Sequence, residues 1–413
     1  MGINESFSQY EIVFEEADQQ IIDYSGSSWR LFPRVYLEDS IYGFFPWAEI
    51  YVNSPTGEIL DYVNFVEGME FDIRIGNKDD DYLGSNFIWS EHQFNDIKVQ
   101  NFLSGTNVFL LISAYYAKNH DQSRAWNDTI YNVIKDILEK DWGLTDNSLI
   151  NMSTQSGGDN YSGVKDNWYQ CERNGIFIQK LADVCYNSTF PYSPFVSFFN
   201  LNGEFYFTDI WTLFKSQQPI NDTPYILEQS IQHTGNLFGI QDYNVIYGGL
   251  GLNFTNYKRK WNWMKKDGSW DNKTFDYKDF VYKEKPSTDK LLIRKKFTED
   301  ISVYNTYGII ENTVDDYSFK GSMNSLYRDS ITSYRMVITV PFNPEMVSGK
   351  LVDVKIKSAN DDKSNTLASF SGKWLIAKSK HYADLDGVLF SNAEIVKSTM
   401  FVDTDHPYVN DFQ

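Results

Sequence analysis

The chain has 413 residues, a length that suggests two or three domains and is ample for burying a sizeable core. Its formal net charge is −19, from 56 acidic and 37 basic residues. This balance disfavours non-specific nucleic-acid binding, which needs basic groups to displace counterions from phosphates. Aromatic residues make up 17% of the chain, and this favours a β-rich protein with large contact surfaces, because Tyr and Trp combine apolar area with a polar tip.

Cysteine usage and hydropathy exclude two further classes of protein. The chain has only two cysteines, Cys171 and Cys185, too few for a disulfide scaffold, and we expect both to be buried thiols beside a helix. The N-terminal segment lacks the apolar core and basic flanks of a signal peptide. No run approaches the roughly 20 apolar residues of a membrane-spanning helix. We therefore expect a soluble protein, made in a cytoplasm, with no membrane insertion.

Residues 1–120 show the two-residue period of β-strands. Met69, Phe71, Ile73 and Ile75 alternate with charged residues, so one face of this strand is predicted to be buried and the other exposed. Further strands are predicted at three places: Trp47–Asn53, Glu58–Val66 and Val108–Tyr116.

Residues 121–224 change to a helical period and then return to strands. A helix is predicted from an N-cap at Ser123, through apolar positions from Trp126 to Leu138, to a stop at Gly143. A second helix is predicted over Asn174–Cys185. A β-hairpin is predicted next, because two aromatic runs, Phe195–Phe199 and Glu204–Asp209, flank Leu201-Asn202-Gly203.

The segment 225–317 is the least regular part of the chain. Gly248–Gly251 is interpreted as a turn or bulge, since no helix or Lys follows that would hold a phosphate. The stretch Tyr257–Lys266 mixes cations with aromatics, a composition typical of single-strand nucleic-acid binding. The acidic chain as a whole favours a surface loop or a protein interface instead. The candidate partner contacts in this stretch are Lys258, Arg259, Trp261 and Trp263.

The final part, 318–403, returns to strands after a helix predicted over Ser318–Tyr334. Two hairpins are predicted there: Met336–Val340 with Lys350–Lys357, and Trp374–His381 with Val388–Lys397. In the first of them, Val352, Val354 and Ile356 alternate with Asp353 and Lys355. Residues 404–413 are predicted to be a loose tail.

No motif for catalysis, cofactor binding or metal binding is present. The five histidines lack ligand spacing, and neither a nucleophile elbow nor a phosphate loop occurs. We expect His381 to be a surface strand or turn residue rather than a general base. Asp79-Asp80-Asp81 is interpreted as a solvated loop rather than a calcium site. We therefore expect no enzyme activity, no cofactor and no metal site.

The order of these elements resembles that of a known family. Three stretches carry the resemblance: Ser40-Ile41-Tyr42-Gly43 with the strands through Asn77, the helix Asn174–Cys185 with its hairpin, and the run from Ser318 to the strand that ends at His381. Together they resemble the bacteriophage baseplate and tail hub proteins, the trimeric hubs of contractile tails and related injection machines.

This resemblance implies a fold and a domain organisation. The fold expected is α+β and β-dominated, with two similar antiparallel, tail-tube-like β-barrel domains and a helix-plus-hairpin insert between them. The expected domains are a first barrel at 1–120, the insert at 121–224, an extension of uncertain fold at 225–317, the closing part of the second barrel at 318–403, and the tail at 404–413.

The resemblance also implies a function without catalysis. Two barrels in each of three chains would form a ring with six quasi-equivalent positions, and this ring would join the hexameric tail tube to the trimeric central spike in the virion baseplate. DNA would pass through the lumen without specific binding, because acidic walls repel phosphate. The expected partners are further copies of the chain, the tube protein, the spike protein and other baseplate proteins, and synthesis is expected in the host bacterial cytoplasm. The residues expected at the lumen or at interfaces are Glu58, Asp61, Glu70, Asp72, Arg74, Asp353 and Lys355.

A second function stays open at this stage, a tail-associated carbohydrate- or receptor-binding protein. Aromatic-rich β surfaces bind sugars well. Such a protein would bring Tyr or Trp together with carboxylates in one concave site, whereas an assembly protein would spread them over its interfaces.

Overall fold

A computed structural model gives the structure of the protein. It describes residues 8–14, 19–24, 34–54, 70–77, 87–100, 106–113, 119–152, 166–185, 194–227, 242–247, 258–264, 270–276, 334–356, 371–383 and 389–397.

The described residues form twenty strands and three helices. The strands are β1 (Ser8–Phe14), β2 (Gln19–Tyr24), β3 (Arg34–Ser40), β4 (Trp47–Ser54), β5 (Glu70–Asn77), β6 (Phe87–Gln100), β7 (Thr106–Ser113), β8 (Asp121–Asp128), β9 (Ile150–Met152), β10 (Asp166–Arg173), β11 (Phe195–Phe199), β12 (Phe205–Asp209), β13 (Tyr225–Leu227), β14 (Asp242–Tyr247), β15 (Lys258–Met264), β16 (Trp270–Asp276), β17 (Tyr334–Pro341), β18 (Leu351–Ile356), β19 (Gly372–Ala383) and β20 (Leu389–Lys397). The helices are α1 (Ile130–Asp141), α2 (Asn174–Val184) and α3 (Ile210–Ser216).

One sheet of thirteen strands joins the two ends of the chain. Its strand order is β14-β17-β20-β19-β3-β4-β7-β6-β5-β1-β2, with β18 and β13 branching from β19. The early strands of this sheet, β1 to β7, meet its late strands, β13, β14 and β17 to β20. They meet where β3 pairs antiparallel with β19, at Leu37 opposite His381. The fold is thus β-dominated, as predicted. The pairings among the described strands do not close either half into a barrel, so the arrangement in two barrels stays a proposal.

Strand β19 forms the corner between two parts of this sheet. Its first residues, Gly372–Leu375, pair with β18, and its later residues, Lys378–Tyr382, pair with β3 on the same edge. The register against β20 shifts between Ile376 and Lys378, an irregularity of the β-bulge kind that bends a strand. At this point the N–H of Ile41 donates to the carbonyl of Ala377 at 2.9 Å, which ties the end of β3 to the corner.

The late strands confirm one predicted hairpin and correct the other. Strands β19 and β20 pair antiparallel, as predicted. Strand β17 pairs instead with β14 and β20, while β18 pairs with β13 and β19, so the predicted β17–β18 hairpin is wrong. The nine residues 342–350 between them, named here the 342–350 loop, carry the chain from one sheet position to another.

The predicted alternation in β18 is confirmed by burial. Val352, Val354 and Ile356 are buried in a core with Trp374 of β19 and other apolar side chains of the late strands. Asp353 is half-buried and Lys355 is exposed. The period of two therefore separates a core face from an outer face here.

The segment 121–224, called the insert below after its predicted place in the chain, begins with a two-stranded ribbon, where the sequence pattern predicted a helix. Strand β8 pairs with β10, and helix α1 starts only after Thr129, whose side chain caps the N–H of Asn132 at 3.3 Å. The predicted N-cap at Ser123 is therefore wrong. The predicted stop is confirmed, because Gly143 follows the helix with φ +66°.

Helix α2 and the β11–β12 hairpin lie where they were predicted. Gly203 takes φ +74° in the hairpin turn, a conformation that favours glycine. The two cysteines differ from the prediction: Cys185 is buried, but Cys171 is exposed because it lies on the outer face of the β8–β10 ribbon. A core of aromatic side chains, among them Phe44, Trp142 and Phe199, joins the insert to the turn after β3.

Several predictions lie outside the described residues. They are the strand Glu58–Val66, the turn Gly248–Gly251, the acidic loop Asp79–Asp81, the tail 404–413 and the helix Ser318–Tyr334 up to its last residue, which begins β17. Among the described residues, no helix is long and apolar enough to cross a membrane. The same part of the chain holds no cluster of His, Cys, Asp and Glu that could bind a metal ion.

Candidate functional site at the junction of the insert and the late strands

A buried carboxylate lies where the insert meets the thirteen-stranded sheet. Asp39 of β3 is fully buried. Its Oδ1 accepts from the hydroxyls of Ser348 and Ser379, both at 2.7 Å, and its Oδ2 accepts from the N–H of Leu201 at 2.8 Å. The N–H of Ser348 also donates to Oδ1, at 3.1 Å. One side chain therefore holds together β3, the turn of the β11–β12 hairpin, the 342–350 loop and β19.

Two opposing effects set the protonation of this carboxylate. Burial raises the pKa of Asp39 above its ordinary value, and the donors from Ser379, Leu201 and Ser348 offset part of that rise. Asp39 therefore acts as an acceptor at the centre of a network of donors. Its four donors leave it without the open side that a catalytic carboxylate needs.

A second polar contact crosses the same junction nearer the surface. The Nζ of Lys350 lies 2.9 Å from Oε2 of Glu204, and both side chains are half-buried. The hydroxyl of Tyr206 donates to the same oxygen at 2.9 Å. Burial, together with the charge of Glu204, raises the pKa of Tyr206, so the phenol stays protonated and serves as a donor.

The backbone of the 342–350 loop approaches the insert at Gly349. This residue has φ +88°, and an added Cβ would lie 2.8 Å from Cζ of Phe198 in β11. The ring of Phe198 in turn stacks on that of Tyr206, with centroids 4.9 Å apart and planes 6° apart. Only glycine suits this position, because the conformation and the close contact both exclude a side chain.

His381 is part of the core beneath the loop, which corrects the prediction of a surface residue. It is fully buried: its Nε2 donates to the carbonyl of Met346 at 3.0 Å and its Nδ1 accepts from the hydroxyl of Ser391 at 2.9 Å. Burial lowers the pKa of His381 to about 4, so the ring is neutral near pH 7. Its role is to hold the 342–350 loop on β19 and β20.

An amide side chain covers one edge of β18. The Nδ2 of Asn221 donates to the carbonyl of Asp353 at 2.9 Å, and the N–H of Asp353 donates to Oδ1 of Asn221, also at 2.9 Å. This pair of bonds imitates a strand partner. It continues the parallel pairing of β13 with β18 and so covers an edge that would otherwise be open.

A cleft of about 620 Å³ opens beside these contacts. Its walls include Asn151 of β9, Tyr206 of β12, Gln217 after α3, and Glu345 and Lys350 of the 342–350 loop. The cleft thus brings a tyrosine and a carboxylate together, as a sugar site would. However, Tyr206 is only 2% exposed and its ring face is covered by Phe198, so it offers no surface on which a sugar ring could stack.

Comparison with known proteins identifies the fold. No protein-family model and no curated protein matches the chain. The tail protein from Neisseria meningitidis MC58 matches with a TM-score of 0.52 at 7% identity, over 94% of this chain and 96% of that one. The 43 kDa tail protein of prophage MuSo2 from Shewanella oneidensis matches with a TM-score of 0.53 at 11% identity, over 96% of this chain and 100% of that one. The chain has the fold of phage tail proteins.

The predicted resemblance to phage tail proteins is therefore confirmed at the level of the fold. The likeness to this tail-protein fold extends over nearly the whole chain. Part of the segment 225–317 is described: β15 carries Lys258, Arg259, Trp261 and Trp263 and pairs with β16, so these four residues lie on a strand of a two-stranded sheet and not on a loop.

The predicted lumen residues occupy separate parts of the tail-protein fold. Glu70, Asp72 and Arg74 lie at alternate positions of β5, paired in register with Gln93, Glu91 and Trp89 of β6. Asp353 and Lys355 lie on the outer face of β18. Glu58 and Asp61 lie outside the described residues. The role of these residues at a lumen or interface stays a prediction.

The residues that organise the junction were not found from the sequence. Asp39 and Ser379 stand in ordinary strand patterns, and their partners lie more than 150 residues away along the chain. The one local signal was Gly349, which could have marked a position with positive φ.

Proposed function

We propose that the chain is a structural subunit of a phage tail, of the baseplate-hub type. Three copies form a ring that joins the hexameric tail tube to a trimeric central spike. The ring forms part of the channel through which DNA leaves the particle. The chain acts as an adaptor between symmetries and not as an enzyme.

The observation that carries this proposal is the fold likeness over the full length of two tail proteins. The chain covers 96% of one and 100% of the other. A likeness of this extent supports a whole tail subunit more than an unrelated protein with one tail-like domain.

The strand pairing supports the arrangement in two tube-like domains. The early and late strands each contribute an extended antiparallel part of one sheet, and they meet where β3 pairs with β19. In the proposal, β5 and β18 are corresponding strands of two neighbouring tube-like domains. The six domains of three chains then match the six subunits of a tail-tube ring.

The proposal predicts a trimer that can be weighed in solution. Light scattering on the purified protein, alone and with the tube or spike protein of the same phage, should give three copies per particle. Monomer at every concentration and with both partners would refute the ring.

The proposed lumen is tested by reversing charge on β5. Glu70→Lys and Asp72→Lys would place cations in the channel, and these should retain passing DNA and slow genome delivery. Glu139→Lys, on the exposed surface of α1, makes the same change of charge as either single substitution, away from the proposed channel, and is the matched control. Delivery kinetics equal to those of the control would count against the placement of β5 at the lumen.

A further inference from the structure

The cleft of about 620 Å³ described above, named here the junction cleft, is lined by several amide side chains whose hydrogen-bonding groups are in part unpaired among the described residues. Among the described residues, the side chains of Asn202 and Gln217 make no hydrogen bond. The Nδ2 of Asn151 is buried and has none either. A side-chain amide has a donor and an acceptor in the same arrangement as a peptide group. Such groups, left unpaired beside a cavity, suit a ligand that itself presents N–H and C=O groups.

The protein already uses this chemistry a short distance away. Asn221 holds the backbone of Asp353 through a donor and an acceptor bond, both of 2.9 Å. Asn221 directly follows Ile220 in the chain, and Gln217, Gln218 and Ile220 line the cleft. An extended backbone lying in the cleft could be held by Asn202 and Gln217 in the same way.

The secondary structure around the cleft also fits an extended ligand. Strand β9, which contributes Asn151 and Met152 to the wall, is an outer strand of the sheet β11-β12-β9 that the described residues form. Outer strands are common sites for the binding of extended peptides. The volume of about 620 Å³ lies within the range of sites that hold small ligands or short peptide segments.

The charged side chains that line the cleft, Lys350 and Glu345, favour a cationic ligand. The ammonium group of Lys350 is neutralised by Glu204. Glu345 is exposed and makes no ion pair with any residue that the structure describes. Among the described residues that line the cleft, one carboxylate is thus left without an ion pair, in a chain whose net charge is already −19.

We propose that the junction cleft binds an extended peptide segment of a neighbouring protein, with a Lys or Arg side chain directed at Glu345. Asn202 and Gln217 hold the backbone of the segment, and Met152, Leu213 and Ile220 supply the apolar contacts of the wall. The bound segment would link its own protein to the insert and to the 342–350 loop at once. This proposal does not depend on the hub assignment, because the cleft lies within one chain.

The test uses pools of blocked pentapeptides with a fixed central residue, either Lys, Arg, Gln or Glu, and mixed residues at the other positions. The full-length protein should retain the Lys and Arg pools more than the Glu pool, by about threefold or more. Glu345→Lys should reverse this order, and Glu345→Gln should abolish the preference while leaving some retention. Gln217→Ala should weaken the retention of every pool, because its proposed contact is to the backbone.

Glu139→Lys is the control, since it changes the net charge as much as Glu345→Lys but lies on α1. It should leave the order of the pools unchanged. The proposal is overturned if no pool is retained, if Glu345→Lys leaves the order unchanged, or if oligosaccharides are retained in preference to every peptide pool. None of these outcomes affects the ring, which light scattering tests separately.

Discussion

Replacing Asp39 with alanine should weaken the contact between the insert and the late strands. The change removes the acceptor for the N–H groups of Leu201 and Ser348 and for the hydroxyl of Ser379. The hydroxyl of Ser348 keeps an alternative acceptor, the carbonyl of Ala377 at 3.4 Å. At least the two backbone N–H groups are left buried without a partner. At about 1–3 kcal/mol for each, Asp39→Ala should cost about 2–6 kcal/mol of stability.

Asp39→Asn is the matched control, because it keeps the shape of the side chain and one acceptor oxygen. The serine hydroxyls can turn to accept from its amide group. The raised pKa of Asp39 also indicates that the site tolerates a neutral group. We therefore expect Asp39→Asn to cost no more than about 1–2 kcal/mol, in line with the loss of a single hydrogen bond.

Both variants should also differ from the parent protein in their dependence on pH, because neither carries a titratable group at position 39. Since the folded pKa of Asp39 is raised, the native state binds the proton more tightly than the unfolded chain. The contribution of Asp39 to stability is then largest below the unfolded value near 3.9 and decreases as pH rises through the folded pKa. Asp39→Asn and Asp39→Ala should both remove this contribution.

Urea unfolding followed by tryptophan fluorescence measures the stability, and hydrogen exchange locates the change. In Asp39→Ala, the amides of Leu201 and Ser348 should lose protection, while those in the β6–β7 pair should keep it. A loss of stability below about 1 kcal/mol in Asp39→Ala, or unchanged protection at both amides, would refute the role of Asp39 as a link between the insert and the late strands.

Three further changes test other contacts of the junction. Gly349→Ala should be more destabilising than Gly143→Ala. The positive φ costs an alanine about 1–2 kcal/mol at either position, but only at position 349 would the added Cβ also lie 2.8 Å from another atom. The folded protein should lose stability as pH falls from about 6.5 to about 4, because the pKa of His381 is about 4 in the folded protein and near 6.5 in the unfolded chain. The full loss of stability is about 3 kcal/mol. Asn221→Ala should cost about 1–3 kcal/mol and speed hydrogen exchange at the amide of Asp353, because two hydrogen bonds are lost.

Each of these expectations has a result that contradicts it. Equal melting temperatures for the two glycine variants would show that the loop moves away at no cost. A His381→Gln variant with the same pH dependence of unfolding as the parent would show that another group is responsible. Unchanged exchange at Asp353 would mean that the edge of β18 is protected without Asn221.

Local patterns predicted those elements whose cause is local. The β11–β12 hairpin follows from Asn202-Gly203, since glycine there takes the positive φ that the turn requires. The alternation in β18 follows from one buried face and one outer face. Helix α2 follows from apolar spacing, and its bounds agree with the prediction to within one residue.

The elements that were mispredicted have causes beyond their own segment. Trp126 stands four residues before Ile130, so it fits the apolar period of α1, yet it lies on β8 because that strand pairs with β10 some 40 residues later. There its ring stacks on Phe177 and its Nε1 donates to Asp136 at 2.9 Å. Tertiary pairing overrides the local period at this point.

The junction could not be predicted for the same reason. Strands β17 and β18 look like a hairpin in sequence, but each finds its partners elsewhere in the sheet. Asp39 and His381 each sit in a strand with an ordinary pattern, and only the packing of distant segments makes them buried and fully hydrogen-bonded.

The ring of three chains is the central claim, and electron microscopy of the purified protein tests it most directly. The proposed function predicts particles with threefold symmetry and a central hole, formed alone or on addition of the tube or spike protein. Single, asymmetric particles under all of these conditions would contradict it, although the tail-protein fold would stand.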